Sequence, residues 1–192
     1  MVKTENFIKV EITTQQQLRE WLQANYTQKE SIWLVTYKKQ WTNKYVSTQQ
    51  VLDELLCFGW IDGVKRKLDE DKTIQLIAPR KVKHWTKTYK DRYAKLEKLG
   101  VVTDAGKQSV LISKQNGLWN FMDEVDNLIK PPDFLKSLEE NHPALTNFDG
   151  FGAASKRFML RYIKIAKTEE TRAKRIQEIS LLAKQGVKLK GS

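Results

Sequence analysis

The stretch LCFGWIDGVKRKLDEDKTIQLIAPRKVKHW, from Leu56 to Trp85, decides the fold of this chain because it contains the pattern of a β-hairpin. WIDGVKRKL and TIQLIAPR both have the composition of strands, and DEDK between them is a polar turn of hairpin length. Pro79 has no N–H to donate to a neighbouring strand, so the second strand ends there or lies at an edge. We therefore predict antiparallel strands at 60–68 and 73–79.

One more strand and two helices precede this hairpin. The nearly continuous apolar run SIWLVTYKK is typical of a strand buried on both faces, which we place at 31–38. Before it, TTQQQLREWLQANY has apolar residues at helical spacing, and Thr13 or Thr14 is a suitable N-cap. After it, STQQVLDELLCFGW predicts a second helix that Gly59 ends.

The pattern after Pro79 is helical. WTKTYKDRYAKLEKLG predicts a helix with tyrosines on its apolar face, and further helices are predicted at 103–116, about 119–128, 132–141, 153–167 and 169–186. Pro131-Pro132 is the best internal boundary because neither residue continues a helix. We predict an α+β fold: a small antiparallel sheet with a β-hairpin, covered by helices, in a domain at 1–128, followed by an all-helical subdomain at 129–192 packed onto it.

The charge of the chain favours an anionic partner. The formal net charge is +11 and the pI is about 9.6, while 40% hydrophobic residues are enough for a real core. Nucleic acid, another polyanion or an anionic lipid surface would be attracted to such a protein. The alternative is that the charge only keeps a small protein in solution.

Cysteine content and the N-terminus predict a cytoplasmic protein. Cys57 is the single cysteine, so no intramolecular disulfide forms. The N-terminus MVKTENFIKVEITT has no apolar signal-peptide region, and no run approaches the roughly 18 apolar residues that a membrane span needs. We therefore expect a soluble cytoplasmic protein without a membrane span.

The sequence predicts no metal, no cofactor and no catalytic set. Its only histidines are His84 and His142, and it has no zinc, EF-hand, P-loop or dinucleotide-binding motif. Cys57 lies near a helix C-terminus, where the helix dipole raises the pKa of a thiol, so we interpret it as a buried structural residue. Whether the protein is an enzyme stays open, and we favour a binding protein.

Several segments resemble one known family. YKK, LLCFGWIDGVKRKLDED, PRK before a Trp, and RYIKIAKTEETRAKRIQEI are similar to the YdeI/OmpD-associated proteins, also called bacteriocin-protection proteins. The resemblance spans most of residues 14–186 and implies the fold above and a role in stress or antimicrobial resistance. It implies no defined reaction or cofactor. Where similar proteins place a small residue and then an Asn one turn later, this chain has Lys83-His84 before Trp85, and Tyr89.

The basic and aromatic residues after the hairpin are the first candidate site. Lys and Arg neutralise phosphates, whereas Trp and Tyr stack on bases, and the two types alternate between Arg80 and Lys98. The alternative is that the tyrosines face the core and the lysines form a solvated helix face. The candidate nucleic-acid contacts are Arg80, Lys81, Lys83, Lys87 and Lys90.

A small-molecule pocket, for a ligand or a substrate, is the second hypothesis. It would lie between the sheet and the helices, and its candidate residues are Trp33, Tyr37, Trp60, Asp62 and Trp85. Asp62 has two interpretations, a catalytic acid or base and a structural acceptor, and we favour the structural one. A third hypothesis is a protein-interaction module with an exposed apolar patch around Trp41.

Arg172 and Arg175 are candidates for a C-terminal clamp. Three residues apart on one helix face, they are suited to hold a carboxylate or phosphate. Alternatively they pair with Glu169 and Glu178, or with the acidic segment 123–140, and fasten the C-terminal helices. We favour this structural clamp.

Overall fold

The computed structural model describes residues 6–81 and 84–191, and the chain forms two compact units that meet in sequence between Trp119 and Asn120. The N-terminal unit contains, in order, β1 (Lys9–Glu11), α1 (Gln15–Asn25), β2 (Ile32–Tyr37), α2 (Thr48–Cys57), β3 (Trp60–Lys67), β4 (Lys72–Pro79), α3 (Lys87–Lys98) and α4 (Asp104–Gln115). The C-terminal unit contains α5 (Asp123–Asp126), α6 (Pro132–Glu140), α7 (Ala144–Gly150), α8 (Ala153–Lys164) and α9 (Glu169–Lys184). The α+β fold with a helical C-terminal region is confirmed.

The sheet of the N-terminal unit is mixed. Its strand order is β1-β2-β4-β3, in which β4 is antiparallel to both β2 and β3, whereas β1 is parallel to β2. The hairpin of β3 and β4 is the one that the sequence predicts. The parallel edge strand β1 is an addition to the predicted antiparallel sheet.

Two glycines shape the hairpin. Gly59 has φ +70° and turns the chain from α2 into β3, a conformation that costs glycine little. Gly63 lies where the register between β3 and β4 shifts, and a Cβ there would come within 3.2 Å of Leu76 O. This bulge on an edge strand is a common defence against pairing with another sheet.

The sheet has a different environment on each face. Ile32, Leu34 and Ile77 face the main core, where they pack with α1, α2, α3 and α4. Trp33 and Ile74 point to the other face and pack in a smaller cluster with Phe7. Consecutive residues of one strand therefore lie on opposite faces of the sheet.

The C-terminal unit has its own apolar core. Phe134 and Phe148 are buried in it with their rings 5.1 Å apart in an edge-to-face contact. Thr168 caps α9 by accepting a hydrogen bond from Thr171 N. Helix α7 and the short α5 differ from the sequence prediction, which has no helix at 144–150 and a longer one at about 119–128.

Candidate functional site

The exit of the hairpin brings together three residues predicted for two different sites: Asp62, Arg80 and Trp85. The backbone N–H of Arg80 donates to Gly59 O at 2.9 Å, which holds the residue beside the end of α2. The Arg80 guanidinium lies 4.0 Å from the centre of the Trp85 ring and 5.3 Å from that of Tyr89. Stacking of this kind is favourable for a guanidinium that is partly removed from water.

Electrostatics at this point keep Arg80 charged. Burial lowers the pKa of Arg80 to about 10, and the neighbouring Tyr89 and Asp62 oppose that shift. Tyr89 donates its hydroxyl hydrogen to Asp62 Oδ1, so the carboxylate has a part-buried partner. Arg80 therefore stays a cation at neutral pH, and Asp62 is tied to α3.

An aromatic cluster continues from this arginine into the N-terminal unit. Trp85 is only 1% exposed and meets Tyr93 edge-on, with ring centres 6.1 Å apart. Its ring also lies 5.0 Å from that of Trp119 in a tilted contact. The backbone N–H of Trp85 donates to Leu118 O at 3.1 Å, which brings the chain after α4 against the loop before α3.

Two lysines that are distant in sequence contact the ring of Trp119. Lys90 Nζ on α3 is 5.3 Å from the centre of the Trp119 ring, and Lys114 Nζ on α4 is 5.2 Å from it. Trp119 itself is half-buried. We call the set formed by Arg80, Trp85, Lys90, Lys114 and Trp119 the basic-aromatic site, because its cations are all within cation–π distance of its indole rings.

The other predicted cations lie around this site or outside the described residues. Lys81 and Lys87 are exposed, and Lys87 pairs with Asp91 one helical turn away at 3.1 Å. Lys83 lies outside the described residues. Arg80 and Lys90 thus belong to the basic-aromatic site, whereas Lys87 is on the solvent-exposed surface of α3.

The five pocket candidates do not line one cavity. Trp60 packs in the main core with its ring 5.6 Å from Trp21, and its indole N–H donates to Tyr26 O at 3.4 Å. Trp33 and Tyr37 point to the other face of the sheet, where the Tyr37 hydroxyl donates to Glu11. Asp62 and Trp85 are the two that come together, through Tyr89 and Arg80.

The two arginines of the predicted clamp contact different partners. Arg172 forms a bidentate pair with Asp133, in which Nε donates to Oδ2 at 2.6 Å and Nη2 donates to Oδ1 at 2.9 Å. Arg175 stacks 4.2 Å from the centre of the Tyr162 ring and donates to Tyr162 O at 2.5 Å. Asp133 belongs to the acidic segment 123–140, so Arg172 connects α9 to α6 within the C-terminal unit.

The remaining candidates have local partners. Trp41 is 41% exposed, and its indole N–H donates to Asp71 Oδ1 at 2.9 Å. Cys57 is buried, and burial raises the pKa of its thiol to about 11.

Across residues 6–81 and 84–191, no group of three or more His, Cys, Asp or Glu side chains is placed to hold a metal. None of the helices in those residues has the length and apolar character of a membrane span.

Two family models match the chain. Residues 10–109, just over half of it, match a domain of unknown function, DUF8412. The chain belongs to the DUF8412 family. Residues 127–186 match the family described as bacteriocin-protection, YdeI or OmpD-associated, OmdA. No curated protein and no solved structure matches the chain significantly.

These matches confirm the resemblance in the C-terminal part. The RYIKIAKTEETRAKRIQEI segment falls in the OmdA match, whereas the Cys57-to-Asp62 stretch falls in the DUF8412 match. Of the basic-aromatic site, the DUF8412 match includes Arg80, Trp85 and Lys90 and ends before Lys114.

Sequence reasoning missed Lys114 and Trp119. Neither lies in a local motif: Lys114 is in the helix predicted at 103–116, and Trp119 follows the turn residues Asn116-Gly117. In one of the two interpretations of α3, its tyrosines, Tyr89 and Tyr93, face the core. Tyr93 is buried there, but Tyr89 is half-buried and reaches Asp62.

Proposed function

We propose that this protein binds single-stranded nucleic acid through the basic-aromatic site. The observation that carries the proposal is the position of Lys90 and Lys114, each about 5 Å from the same half-buried indole of Trp119. An indole flanked by ammonium groups offers a stacking surface for a base and charges for its phosphates. Duplex bases are already stacked on each other, so an unpaired strand is the better match.

Neighbouring cations extend the contact beyond one nucleotide. Lys81 and Lys87 are exposed near the two ends of the loop that carries Trp85, and Arg80 contributes a fixed positive charge under that indole. A small anion would need only one or two of these groups. A strand that contacts three or four lysines releases counterions, so its affinity falls with salt with a logarithmic slope of roughly −2 to −3.

Fluorescence anisotropy with labelled single-stranded DNA and RNA oligomers, over a range of salt concentrations, tests this proposal. We expect the double variant Lys90→Gln, Lys114→Gln to weaken binding and to reduce the salt slope by roughly 1 to 1.5. Trp119→Leu keeps the charges but removes the stacking surface, so it should cost about 1–3 kcal/mol of binding free energy.

The matched control is Lys29→Gln, Lys39→Gln, which removes two exposed lysines elsewhere in the N-terminal unit. It should bind nearly as well as the wild type. The proposal fails if the wild type does not bind at low salt, or if the Lys90, Lys114 variant and the control bind equally. Thermal unfolding of each variant separates lost binding from lost folding, since Trp119 also packs on Trp85.

The cellular setting of this activity is also a proposal. We place it in the cytoplasm, where the single buried cysteine stays reduced. The OmdA match supports a contribution to bacteriocin protection. Fractionation of cells that express the protein, and bacteriocin survival with wild type or the Lys90, Lys114 variant, test these two points.

A further inference from the structure

Two segments of the C-terminal unit are basic and contain no acidic residues. Residues 150–168 contain five Lys or Arg and no Asp or Glu, and residues 179–192 contain three lysines and no Asp or Glu. The acids between these two segments are Glu169, Glu170 and Glu178, all in α9. Both segments therefore contribute cations to the exposed surface of this unit.

Helix α8 presents one exposed face of mixed character. Arg157, Phe158, Arg161 and Ile165 follow one another at helical spacing, so they lie on the same side. Phe158 and Ile165 are each 41% exposed, and both arginines are exposed. Met159 and Ile163, on the opposite side, are buried in the core. The exposed face thus combines cations with apolar side chains that the unit leaves partly exposed.

The C-terminal tail adds charge beside this face. A Cβ placed on Gly191 would lie 3.5 Å from Phe158 Cζ, so Gly191 lies beside α8. Lys188 Nζ lies 5.9 Å from the centre of the Phe151 ring, just before α8 begins. Lys188 and Lys190 are both exposed. We call Arg157, Phe158, Arg161, Ile165 and the tail from Val187 to Gly191 the α8 surface.

Its arginines are not used to hold the fold together. Within the described residues, the side chains of Arg157 and Arg161 form no ion pair and no hydrogen bond. The other cations of the same helix are engaged: Lys156 donates to Asp149 O at 3.0 Å and Lys164 pairs with Glu124 at 2.6 Å. The guanidinium groups on the exposed face are therefore available to an external anion.

We propose that the α8 surface binds a lipid bilayer that contains anionic headgroups. Phosphates of such headgroups attract Arg157, Arg161 and the tail lysines, while Phe158 and Ile165 enter the boundary between headgroups and acyl chains. A nucleic acid would use the same charges and could stack on Phe158. It would gain little from Ile165 or from Val187, which is 47% exposed, and these aliphatic groups favour the bilayer.

Co-sedimentation of the full chain with lipid vesicles tests the proposal. The vesicles are phosphatidylcholine alone, or phosphatidylcholine with about a third of anionic phosphatidylglycerol. We expect binding to the anionic vesicles only. The variant Arg157→Gln, Arg161→Gln should weaken it roughly tenfold or more, since each such charge near an anionic surface is worth about a fivefold change in affinity. Phe158→Ala, Ile165→Ala should also weaken it, although every charge remains.

The control Lys29→Gln, Lys39→Gln removes the same amount of charge from the N-terminal unit and should bind vesicles about as well as the wild type. All substituted side chains are exposed, and circular dichroism checks that the variants stay folded. Absence of binding to anionic vesicles, or equal binding by the arginine variant and the control, would overturn the proposal.

Running every variant in both assays separates this proposal from the nucleic-acid one. Loss of vesicle binding in the Arg157, Arg161 variant, with nucleic-acid binding retained, supports the bilayer proposal. This conclusion does not depend on how the Lys90, Lys114 variant binds nucleic acid. If the same variant instead loses nucleic-acid binding and the wild type ignores vesicles, the α8 surface belongs to nucleic acid and the bilayer proposal is wrong.

Discussion

Among single residues, Cys57 is a buried thiol whose environment lowers its reactivity. It is 1% exposed, and burial raises the pKa of its thiol to about 11, with the Glu54 carboxylate adding to the shift. Thiolate, and not thiol, is the nucleophile. We expect no reaction of the native protein with a disulfide reagent at pH 8, and one equivalent of reaction in denaturant. Rapid labelling of the native protein would contradict this burial.

The same shift predicts how stability depends on alkaline pH. The unfolded thiol has a pKa of roughly 8.5, so between that value and about 11 the unfolded state releases a proton that the folded state keeps. The contribution of Cys57 is thus complete below the unfolded pKa and is lost as pH rises through the folded one. The decrease in the free energy of unfolding between pH 7 and pH 10, measured with urea, should be smaller for Cys57→Ala than for the wild type.

Tyr89 offers a test of the Asp62 interaction. Its hydroxyl donates to Asp62 Oδ1, so Tyr89→Phe leaves a part-buried carboxylate without that donor. Hydrogen bonds to charged groups contribute about 1.5–3 kcal/mol, and the half-exposure of both residues places the expected loss near the lower end. Urea denaturation measures it. In an Asp62→Asn background the same substitution should cost less, and equal costs in the two backgrounds would show that the pair is not coupled.

Between elements, the contact of α2 with α4 depends on Gly106. A Cβ there would lie 2.4 Å from Cys57 O, and Thr103 Oγ1 already donates to that oxygen at 2.6 Å. Alanine normally stabilises a helix relative to glycine by about 0.5–1 kcal/mol. Here we expect Gly106→Ala to destabilise the protein by about 1–3 kcal/mol, because the helices must move apart.

Gly150 in α7 is the matched control for that substitution. A Cβ at Gly150 meets no atom within 4 Å, and this glycine lacks a positive φ. Gly150→Ala should therefore be neutral or slightly stabilising in the same denaturation experiment. Equal midpoints for the two variants would show that α4 can accommodate a methyl group against α2.

The pair of Arg172 with Asp133 predicts an acid-dependent contact between α9 and α6. The Arg172 guanidinium lowers the pKa of Asp133 below its usual value. For a carboxylate with a lowered pKa, the stabilisation is present above the unfolded pKa of about 3.9 and is lost as pH falls through the folded one. The two side chains are 28% and 47% exposed, so the contribution is at most about 1 kcal/mol. Asp133→Asn should lower stability at pH 7 and converge with the wild type in acid.

Local patterns explain which elements could be predicted from the sequence. The hairpin of β3 and β4, and helices such as α2 and α9, have a clear period, turn residues and caps within a few positions. Strand β1 has three residues and belongs to the sheet only because β2 lies beside it. The basic-aromatic site is less local still: Trp119 meets Trp85 and Lys90 only after α3 and α4 have packed, so sequence spacing gives no signal for it.

At the scale of the whole molecule, the charge is distributed by region. Residues 151–192 carry +8 of the net +11, whereas residues 101–150 carry −4. A field of this kind accelerates encounter with polyanions, and that effect weakens with salt. The two proposed surfaces use cations from different units, which is why charge variants in one unit serve as controls for the other.

Each of the two units closes its core with its own residues, and this predicts that each folds when expressed alone. Val102 and Val110 complete the core of the N-terminal unit, and Phe134 and Phe148 lie at the centre of the other. Residues 1–119 should therefore unfold cooperatively, whereas residues 1–98 should not, because the shorter fragment lacks α4. Residues 120–192 form a small domain, for which we expect a cooperative but weaker transition. Thermal denaturation followed by circular dichroism measures all three. A gradual transition for residues 1–119 would mean that its core needs the C-terminal unit, and a cooperative one allows nucleic-acid binding to be measured on the unit that contains the basic-aromatic site.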